Sequence, residues 1–535
     1  MDSIQEPSRK LTSVATLVML GTLLSRITGF LRNVLITTQM KPMGYSDEFI
    51  LAFTLPDLIY DLLAGGAIAA AFIPILSTYL TKGKERIGWK AISTFMNLSV
   101  IILLVLEVIF FIFTDSFLGI LASGYKGGTS GDKELLIKLT RILLLNAPFM
   151  MMAGQMNGIL NSYKRFAIAA FGPVIYNICT IISISIFGAK SAELTAWGVV
   201  AGGGVFFIIQ FSGAFRHFVY YQPKLFLKSN AFSKLMRQAI PSLISSTIIE
   251  VNVIISRSYA TFYESGMVTL LNNANRTWQL PLGIFAQSIG IALLPTLSEQ
   301  YAKEKPDEFK RVLYNGLKTI FLLSLITSVI MMILSDDIMR ALFKWGDSGS
   351  EYDVFYGGLC LLGYSATLVF SSTIAMMTRA FYSIHNSKTP LYGGVFGIVI
   401  LYLLNAVFRK YTNIGIAGTA LAYSISAFFI MMAYLLTFRK KTGIDIITDN
   451  FGYIVKALMA AVPAGMITFG LKLLVRPDVE SKLSQILALC VPTACGLGLY
   501  WLILLKLKTP EITYINNLVL SRLKIGKRRT HPIKK

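Results

Sequence analysis

Fourteen long apolar segments follow one another along the chain, with little sequence between them. Each segment is long enough to cross the hydrocarbon core of a bilayer as a helix, which takes roughly 20 residues. The apolar runs are continuous rather than alternating, and this excludes an outer-membrane β-barrel. Because 54% of the residues are hydrophobic and only 15% are charged, soluble multidomain enzymes, disulfide-rich secreted domains and disordered chains are excluded as well. The sequence therefore predicts an all-α polytopic membrane protein with about 14 transmembrane helices.

The predicted spans follow directly from these apolar runs. They are 11–39, 49–81, 91–113, 135–162, 166–189, 194–215, 234–262, 266–300, 312–335, 354–383, 389–408, 413–438, 452–475 and 483–506. Even-numbered loops then lie on the same side as the N-terminus, and odd-numbered loops lie on the other side.

Basic residues are distributed unevenly between these loops. The chain has 50 lysines and arginines against 28 acidic residues, and most of the basic residues outside the spans fall on the side of the two termini. Cytoplasmic loops carry such an excess in membrane proteins. We therefore expect a multi-pass membrane protein with both termini in the cytoplasm, and the charge does not indicate nucleic acid. The basic tail, 507–535, is expected to contact anionic lipid headgroups.

Three short matches indicate an internal repeat. FIPILSTY at 72–79 resembles LLPTLSEQY at 293–301, so that Pro74 falls on Pro295. Segments 160–173 and 381–394 match at the same offset as the two prolines, and 197–202 matches 417–422 at nearly that offset. The offset spans six helices and preserves orientation, which is typical of parallel repeats in transporters. We predict an N-lobe over 1–215, a cytoplasmic linker over 216–233, a C-lobe over 234–440 and a further helix pair over 441–506.

Several arginines lie inside the predicted spans, where charged residues are costly and usually functional. Arg26 and Arg32 lie in the first span and Arg276 in the eighth, so the two lobes each supply a cation. Guanidinium groups bind phosphate bidentately and stay charged when desolvated. Facing one cavity, the three arginines would bind an anion such as phosphate or pyrophosphate. Arg141, Arg257 and Arg379 lie where snorkelling to the membrane interface is an equally good explanation.

Acidic residues accompany these arginines. Asp47 opens the second span, and Asp57 and Asp61 lie one turn apart further along it. Two ionised carboxylates at this spacing repel each other, and pairing with Arg26 or Arg32 would relieve the repulsion. Such pairing would merely hold the helices together, which is the alternative to a binding site. Glu250 in the seventh span is a candidate carboxylate for cation coupling.

Catalytic and metal-binding patterns are missing from the sequence. The four cysteines include no CxxC pair, the three histidines are isolated, and neither GxSxG nor HExxH occurs. We therefore expect no catalytic residues, no metal site and no cofactor. The sequence does not identify a coupling ion or an energy source.

Three longer segments resemble a known family. SRITGFLRNVLI at 25–36, SDEFILAFTLPDLIYDLLAGGAIAAAFIPIL at 46–76 and NRTWQLPLGIFAQSIGIALLPTLSEQ at 275–300 are similar to the MurJ (MviN) lipid II flippases. These belong to the multidrug/oligosaccharidyl-lipid/polysaccharide exporter superfamily. The resemblance extends over about residues 10–510.

The resemblance implies a substrate, a mechanism and a set of site residues. It implies a transporter rather than an enzyme, which moves the undecaprenyl-pyrophosphate-linked peptidoglycan precursor from the inner to the outer leaflet by alternating access through a cationic central cavity. By motif, Arg26, Arg32 and Arg276 match the arginines of that cavity, and Asp47 matches the acidic residue at the start of the second span. The last two helices resemble the pair that forms a groove for the lipid tail. The implied partners are lipid II and membrane lipids, and we expect the protein to act as a monomer.

The sequence departs from the family pattern at four positions. Tyr60 replaces an arginine of the second span, and Asn33, Gly65 and Gln279 replace acidic residues. These departures leave room for an exporter of another polyprenyl-linked glycan or of a small molecule. A membrane glycosyltransferase or a cell-wall assembly scaffold is an alternative of another class. A glycosyltransferase would normally place acidic or histidine catalytic groups on a sizeable outer loop, and the predicted outer loops are short.

Overall fold

The computed structural model describes residues 5–125, 132–345, 349–475 and 481–509, with side chains from residue 17 onward. Every regular element within these ranges is a helix. The predicted all-α class is therefore confirmed. The predicted basic tail lies outside the described residues beyond Thr509.

Thirteen helices of the described chain are long and apolar enough to cross a membrane. They correspond to the second to fourteenth predicted segments, and a 31-residue helix over Gln5–Leu35 occupies the first. In chain order the helices are α1 (Gln5–Leu35), α2 (Ser46–Thr81), α3 (Glu85–Ile112), α4 (Lys133–Ser162), α5 (Phe166–Phe187), α6 (Ala192–Tyr220), α7 (Asn230–Ala260), α8 (Met267–Ala302), α9 (Pro306–Ile333), α10 (Glu351–Ser383), α11 (Lys388–Tyr411), α12 (Ala417–Thr442), α13 (Phe451–Leu474) and α14 (Lys482–Lys506).

The predicted repeat is visible in the bounds of these helices. The first and last residues of α8 lie at the same offset from those of α2 as Pro295 lies from Pro74. The bounds of α9 and α3 are related by the same offset. A π-helical turn interrupts α2 over Asp61–Gly65 and α8 over Gly283–Gln287. Pro74 and Pro295 stand at the same distance from the last residue of their helices, as predicted. The two halves of the sequence therefore share helix lengths and also helix irregularities.

The turns that end the helices repeat in the same way. Gly83 and Glu304, which follow α2 and α8, have φ values of 66° and 53°. Lys164 and His385, which follow α4 and α10, have φ values of 60° and 57°. A residue in this left-handed region commonly ends a helix, and glycine adopts it at least cost. Only one of these four turns has the glycine that its backbone favours.

The chain divides into two compact units. Unit 1 consists of the described residues up to Asn273 together with those of 343–350 and 398–419, and unit 2 consists of the rest. Each unit has an apolar core, and the two cores use repeat-equivalent residues. Leu76 and Ile92 are fully buried in unit 1, as are Leu297 and Leu313 in unit 2. The lobe boundaries drawn from the sequence matches remain a prediction.

Within unit 2, the last two helices are attached to α9 and to the segment after it. Lys472 of α13 donates a hydrogen bond to the Ile333 carbonyl at 2.8 Å and pairs with Asp337 at 3.3 Å. Lys482 of α14 donates to the Arg340 carbonyl at 3.2 Å, and the Tyr500 hydroxyl donates to the Leu322 carbonyl at 3.1 Å. The helix pair is thus part of the packed structure of unit 2.

Candidate functional site

The first span carries two of the predicted arginines within unit 1. Arg26 and Arg32 are both half-buried on α1. The helix packs closely on α5, where the Asn177 amide donates hydrogen bonds to the Ser25 carbonyl at 3.1 Å and to the Thr28 hydroxyl at 3.3 Å. A methyl group on Gly29 would lie 3.4 Å from the nitrogen of this amide, which is an ordinary van der Waals contact. Polar contacts between helices therefore fix the stretch of α1 that bears the arginines.

Tyr176 on α5 connects the first span with the second. Its ring is buried, and the Asn146 amide donates a hydrogen bond to its hydroxyl at 3.3 Å. Arg32 and Asp57 both lie near enough for their charges to act on this hydroxyl. The structure thus brings Arg32 and Asp57 to the same buried tyrosine. Tyr176 is not recognisable from the sequence, because a lone tyrosine in an apolar span carries no pattern.

A second group of charges surrounds the π-helical turn of α2. The charges of Glu250 and Asp57 act on the Asp61 carboxyl group, which begins that turn. Ser246 of α7 donates a hydrogen bond to the Asp61 carbonyl at 3.1 Å. A methyl group on Gly65 would lie 2.5 Å from the Asp61 carboxylate and 2.9 Å from the Ser246 hydroxyl. Gly65 is therefore the small residue that lets the second and seventh spans approach here.

Asp47 lies at the N-terminus of α8. Its carboxylate accepts hydrogen bonds from the backbone N–H groups of Gly266 at 2.8 Å, Val268 at 3.3 Å and Thr269 at 2.8 Å, and one from the Thr269 hydroxyl. Asp47 is only 3% exposed. A helix N-terminus has unpaired N–H groups and a positive partial charge, so a carboxylate is well placed there. In this structure Asp47 caps the eighth span, and its predicted contact with substrate stays a prediction.

The neighbouring carboxylate, Glu48, is 1% exposed and accepts a hydrogen bond from the Asp132 N–H at 3.1 Å. Tyr125 lies beside this pair of acids in the loop that follows α3. Burial raises the pKa of its hydroxyl, and the charges of Asp47 and Glu48 raise the pKa further. Tyr125 therefore keeps its proton at neutral pH. The loop and the start of α2 form one buried polar junction.

Arg276, the third predicted arginine, belongs to unit 2. It is half-buried on α8, next to Asn275, whose amide oxygen accepts hydrogen bonds from Trp278 at 2.9 Å and from Gln279 at 3.0 Å. The Trp278 ring packs on the ring of Tyr364, with 6.2 Å between the centroids. A rigid aromatic cluster therefore supports the helical turn that bears Arg276.

The structure gives side-chain surroundings for three of the four positions that depart from the family pattern. Tyr60 places its hydroxyl 3.3 Å from where a side chain on Gly154 would begin, so it fills space against α4. Asn33 is buried, Gln279 bonds to Asn275 on its own helix, and Gly65 leaves room for Asp61 and Ser246. All four residues are neutral.

Unit 1 thus brings together Arg32, Asp57, Asp61 and Glu250 along α1, α2 and α7, whereas Asp47 lies apart from them at the helix cap. The part of the chain that the structure describes contains no group of three His, Cys, Asp or Glu residues arranged to hold a metal ion. Its four cysteines are free thiols. The arrangement is suited to binding a charged group through arginine.

Curated proteins of one family are similar to this chain over most of its length. Curated relatives include the probable lipid II flippase MurJ of Buchnera aphidicola subsp. Baizongia pistaciae, which is 29% identical over 78% of this chain and 81% of its own length. The lipid II flippase MurJ of Burkholderia cenocepacia is 26% identical over 78% of this chain and 82% of its own.

Solved structures show the same fold. A structure of lipid II flippase MurJ in an inward closed conformation superposes with a TM-score of 0.72 at 22% identity, and it covers 92% of this chain and 100% of its own. An inward-facing multidrug resistance MATE family transporter of the MOP superfamily gives a TM-score of 0.65 at 16% identity, over 78% of this chain and 94% of its own.

The family profile described as lipid II flippase MurJ matches residues 43–481. This range includes α2 to α13 and therefore all the charged site residues described above except Arg26 and Arg32, which lie on α1. The chain is therefore a multi-pass membrane transporter, not an enzyme, and it belongs to the MurJ family of lipid II flippases.

Proposed function

We propose that this protein moves lipid II from the inner to the outer leaflet of the bacterial inner membrane. The observation that carries the proposal is the set of half-buried arginines, Arg26, Arg32 and Arg276, inside apolar helices of a chain that the flippase family profile matches over most of its length. Lipid II presents a pyrophosphate, and guanidinium binds phosphate oxygens bidentately. Arginine at membrane depth is expensive unless an anion, a carboxylate or water accompanies it.

The physical barrier to flipping lies in the headgroup. A large polar group with two negative charges does not cross bare hydrocarbon, because the loss of hydration is prohibitive. A hydrophilic route through the protein removes that cost while the polyprenyl tail stays in the lipid. Alternating access then requires that the arginines bind pyrophosphate well enough to load it and weakly enough to release it.

The carboxylates have a separate role in this proposal. Asp57, Asp61 and Glu250 lie near one another in unit 1, and they balance the positive charge of the arginines while the substrate is absent. Glu250 is the candidate for coupling to a cation, because a carboxylate that gains or loses a cation changes the net charge moved across the membrane potential. The coupling ion itself is not assigned, and no cofactor is proposed.

We also propose the orientation and the partners. Both termini and the loops at 82–90 and 216–233 face the cytoplasm, because these loops carry the excess of lysine and arginine. The protein works as a monomer surrounded by membrane lipids. A cysteine placed at Lys84 should resist labelling by a membrane-impermeant reagent in intact cells, and labelling from outside would contradict this orientation.

A second substrate is supported by the departures from the family pattern. Tyr60 and Gln279 replace charged residues and are engaged by their neighbours in the fold. Fewer charges would suit a different polyprenyl-linked glycan that keeps the pyrophosphate but differs in its sugars or peptide. This alternative predicts the same arginine chemistry with another glycan preference.

Rescue of a flippase-depleted bacterial strain tests the proposal in cells. The wild-type chain should restore growth, and Arg26→Ala, Arg32→Ala and Arg276→Ala should each fail to do so at normal membrane expression. Lysine at these positions should restore growth only partly, since a bidentate contact becomes a point charge. Arg141→Ala is the matched control, because that guanidinium packs over the Phe111 ring at 5.3 Å. Full rescue by all three alanine variants would contradict the role assigned to the arginines.

A further inference from the structure

Arg257 is a buried cation to which neither the sequence pattern nor the family resemblance assigns a role. It lies three residues before the end of α7 and is only 6% exposed, so it does not snorkel to an interface as the sequence allowed. Its Nε and Nη1 atoms are buried and have no acceptor among the described residues. These two nitrogens of an ionised guanidinium need an anion or water, because the described residues offer them no acceptor.

The face of α7 that bears Arg257 is known from its neighbours. Ser246, Glu250 and Arg257 follow one another at spacings that keep them on one side of a helix. Ser246 bonds to the Asp61 carbonyl, and Glu250 acts on the Asp61 carboxyl group, so this side of α7 faces α2. Tyr259 lies on the opposite side, where its hydroxyl donates to the Tyr402 carbonyl at 3.4 Å. Arg257 therefore shares the side of α7 that carries the acidic group of unit 1.

The Thr54 hydroxyl of α2 is a second buried group of unit 1 without a hydrogen-bond partner among the described residues. The two helices run antiparallel, and Ser242 and Ser246 of α7 lie against Gly66 and Asp61 of α2. Extended along the two helices, that register puts Arg257 opposite residues 50–54 of α2, a stretch that ends at Thr54. The Thr54 hydroxyl is buried, at 2% residue exposure, and it too has no partner among the described residues. By this register Arg257 and Thr54 belong to the same stretch of unit 1, and the described residues offer no acceptor to the Nε and Nη1 atoms of Arg257.

The repeat relates Arg257 to the arginines of the first span. At the offset that relates Pro74 to Pro295, Arg257 corresponds to Ile36, which lies one helical turn beyond Arg32. The first helix of each repeat therefore carries an arginine at almost the same depth. The first repeat has Arg32 there, and the second has Arg257.

We infer that Arg257, with Thr54, forms an additional anion-binding point that takes the phosphate oxygens of a polyprenyl-linked pyrophosphate on the outer half of its route. The inference rests on the proposed function, which supplies the substrate class and the direction. Inorganic pyrophosphate presents the same phosphate oxygens without the lipid. An experiment must therefore distinguish binding of free pyrophosphate from binding of the prenyl-linked form. A point of this kind holds the headgroup after it has left Arg26, deeper in α1.

Binding to the full-length protein in detergent tests this inference, with farnesyl pyrophosphate, inorganic pyrophosphate and neutral farnesol as probes. Arg257→Gln should weaken the binding of farnesyl pyrophosphate about tenfold, and Thr54→Val should weaken it by a smaller factor. The matched control is Arg409→Gln, which removes an exposed arginine of the same unit that packs over the Phe262 ring. That control should bind as the wild type does.

The outcomes separate the inference from the proposed function. Wild-type affinity in Arg257→Gln would overturn the inference and leave water as the companion of the guanidinium. If that variant does not fold, wild-type affinity in both Arg257→Lys and Thr54→Val would overturn it equally. Loss of affinity in Arg26→Ala alone would support the proposed function and contradict the inference. Inorganic pyrophosphate binding that depends on Arg257, without any binding of the prenyl form, would support the anion point and contradict the proposed substrate.

Discussion

Asp47 and Thr269 are joined by two hydrogen bonds, because one oxygen of the Asp47 carboxylate accepts both the backbone N–H and the hydroxyl of Thr269. The contact fastens the start of α2 to the N-terminus of α8. We expect Asp47→Ala to lower the free energy of unfolding in detergent by about 1–2 kcal/mol, since a capping acceptor is lost and buried donors are left unpaired. Chemical denaturation measures this loss.

Asp115→Asn is the control for that change, because Asp115 forms an exposed ion pair with Lys133. Exposed ion pairs contribute little to stability, so Asp115→Asn should have the same free energy of unfolding as the wild type. Equal stability of Asp47→Ala and the wild type would show that the helix cap contributes nothing.

Gly65 should not tolerate a methyl group. A side chain there would lie 2.5 Å from the Asp61 carboxylate, so Gly65→Ala must displace either that carboxylate or Ser246. We expect the variant to reach the membrane and to fail to rescue a flippase-depleted strain. Gly204→Ala, where a methyl group would meet nothing within 4 Å, should rescue fully. Full rescue by both variants would mean that the packing at this π-helical turn is not needed for transport.

Glu304→Gly should stabilise the protein. Glu304 has a φ of 53° after α8, whereas the equivalent turn after α2 has Gly83 at 66°. Glycine removes the steric cost of the left-handed conformation, and we expect a gain of about 0.5–1 kcal/mol in the free energy of unfolding. Gly83→Ala should lose a similar amount. A loss of stability in Glu304→Gly would show that the Glu304 side chain contributes more than its backbone costs.

Acid should loosen the short helix over Ile446–Asp449, between α12 and α13. Hydrogen bonds from Lys310 and then from Tyr314 hold the pKa of Asp449 below its ordinary value, and a hydrogen bond from the Thr448 N–H does the same for Asp445. A lowered pKa means that the stabilisation is complete above the ordinary value of 3.8 and is lost as the pH falls through the lowered pKa.

Amide hydrogen exchange of residues 446–450, corrected for intrinsic exchange rates, measures this effect. Protection should be constant from neutral pH down to about 5 and should fall below about 4. Asp449→Asn should reduce protection already at neutral pH, because the ion pair with Lys310 at 2.6 Å is lost. Protection that rises on acidification would contradict the assigned pKa directions.

Much of the fold was predictable because membrane-spanning helices are recognisable in a sequence by their length and apolar composition. Thirteen long apolar helices coincide in order with the second to fourteenth predicted segments, α1 occupies the first, and the Pro74–Pro295 match pointed to the repeat. The role of Asp47 was not predictable in the same way. Its partners, Gly266 and Thr269, lie six helices further along the chain. They bind Asp47 through backbone N–H groups, which almost every residue has, so no residue type in the sequence indicates this contact.

The burial of Arg257 was also beyond the sequence pattern. An arginine near a helix end can reach the interface or turn inward, and only the packing of α7 on its neighbours decides between them. Arg26, Arg32 and Arg276 were found because they lie deeper in their spans, within motifs shared with the family. The sequence therefore identifies charged residues that interrupt an apolar run. It does not identify those that become buried only through tertiary packing.

Transport by the purified protein in liposomes tests the central claim most directly. The protein is reconstituted with lipid II, and an impermeant enzyme or label reports how much of the headgroup reaches the opposite leaflet. We expect wild-type protein to move lipid II faster than Arg26→Ala, Arg32→Ala or Arg276→Ala, and faster than it moves a polyprenyl monophosphate that lacks the pyrophosphate. Transport of lipid II no faster than in protein-free liposomes, alongside clear transport of another lipid-linked glycan, would contradict the account.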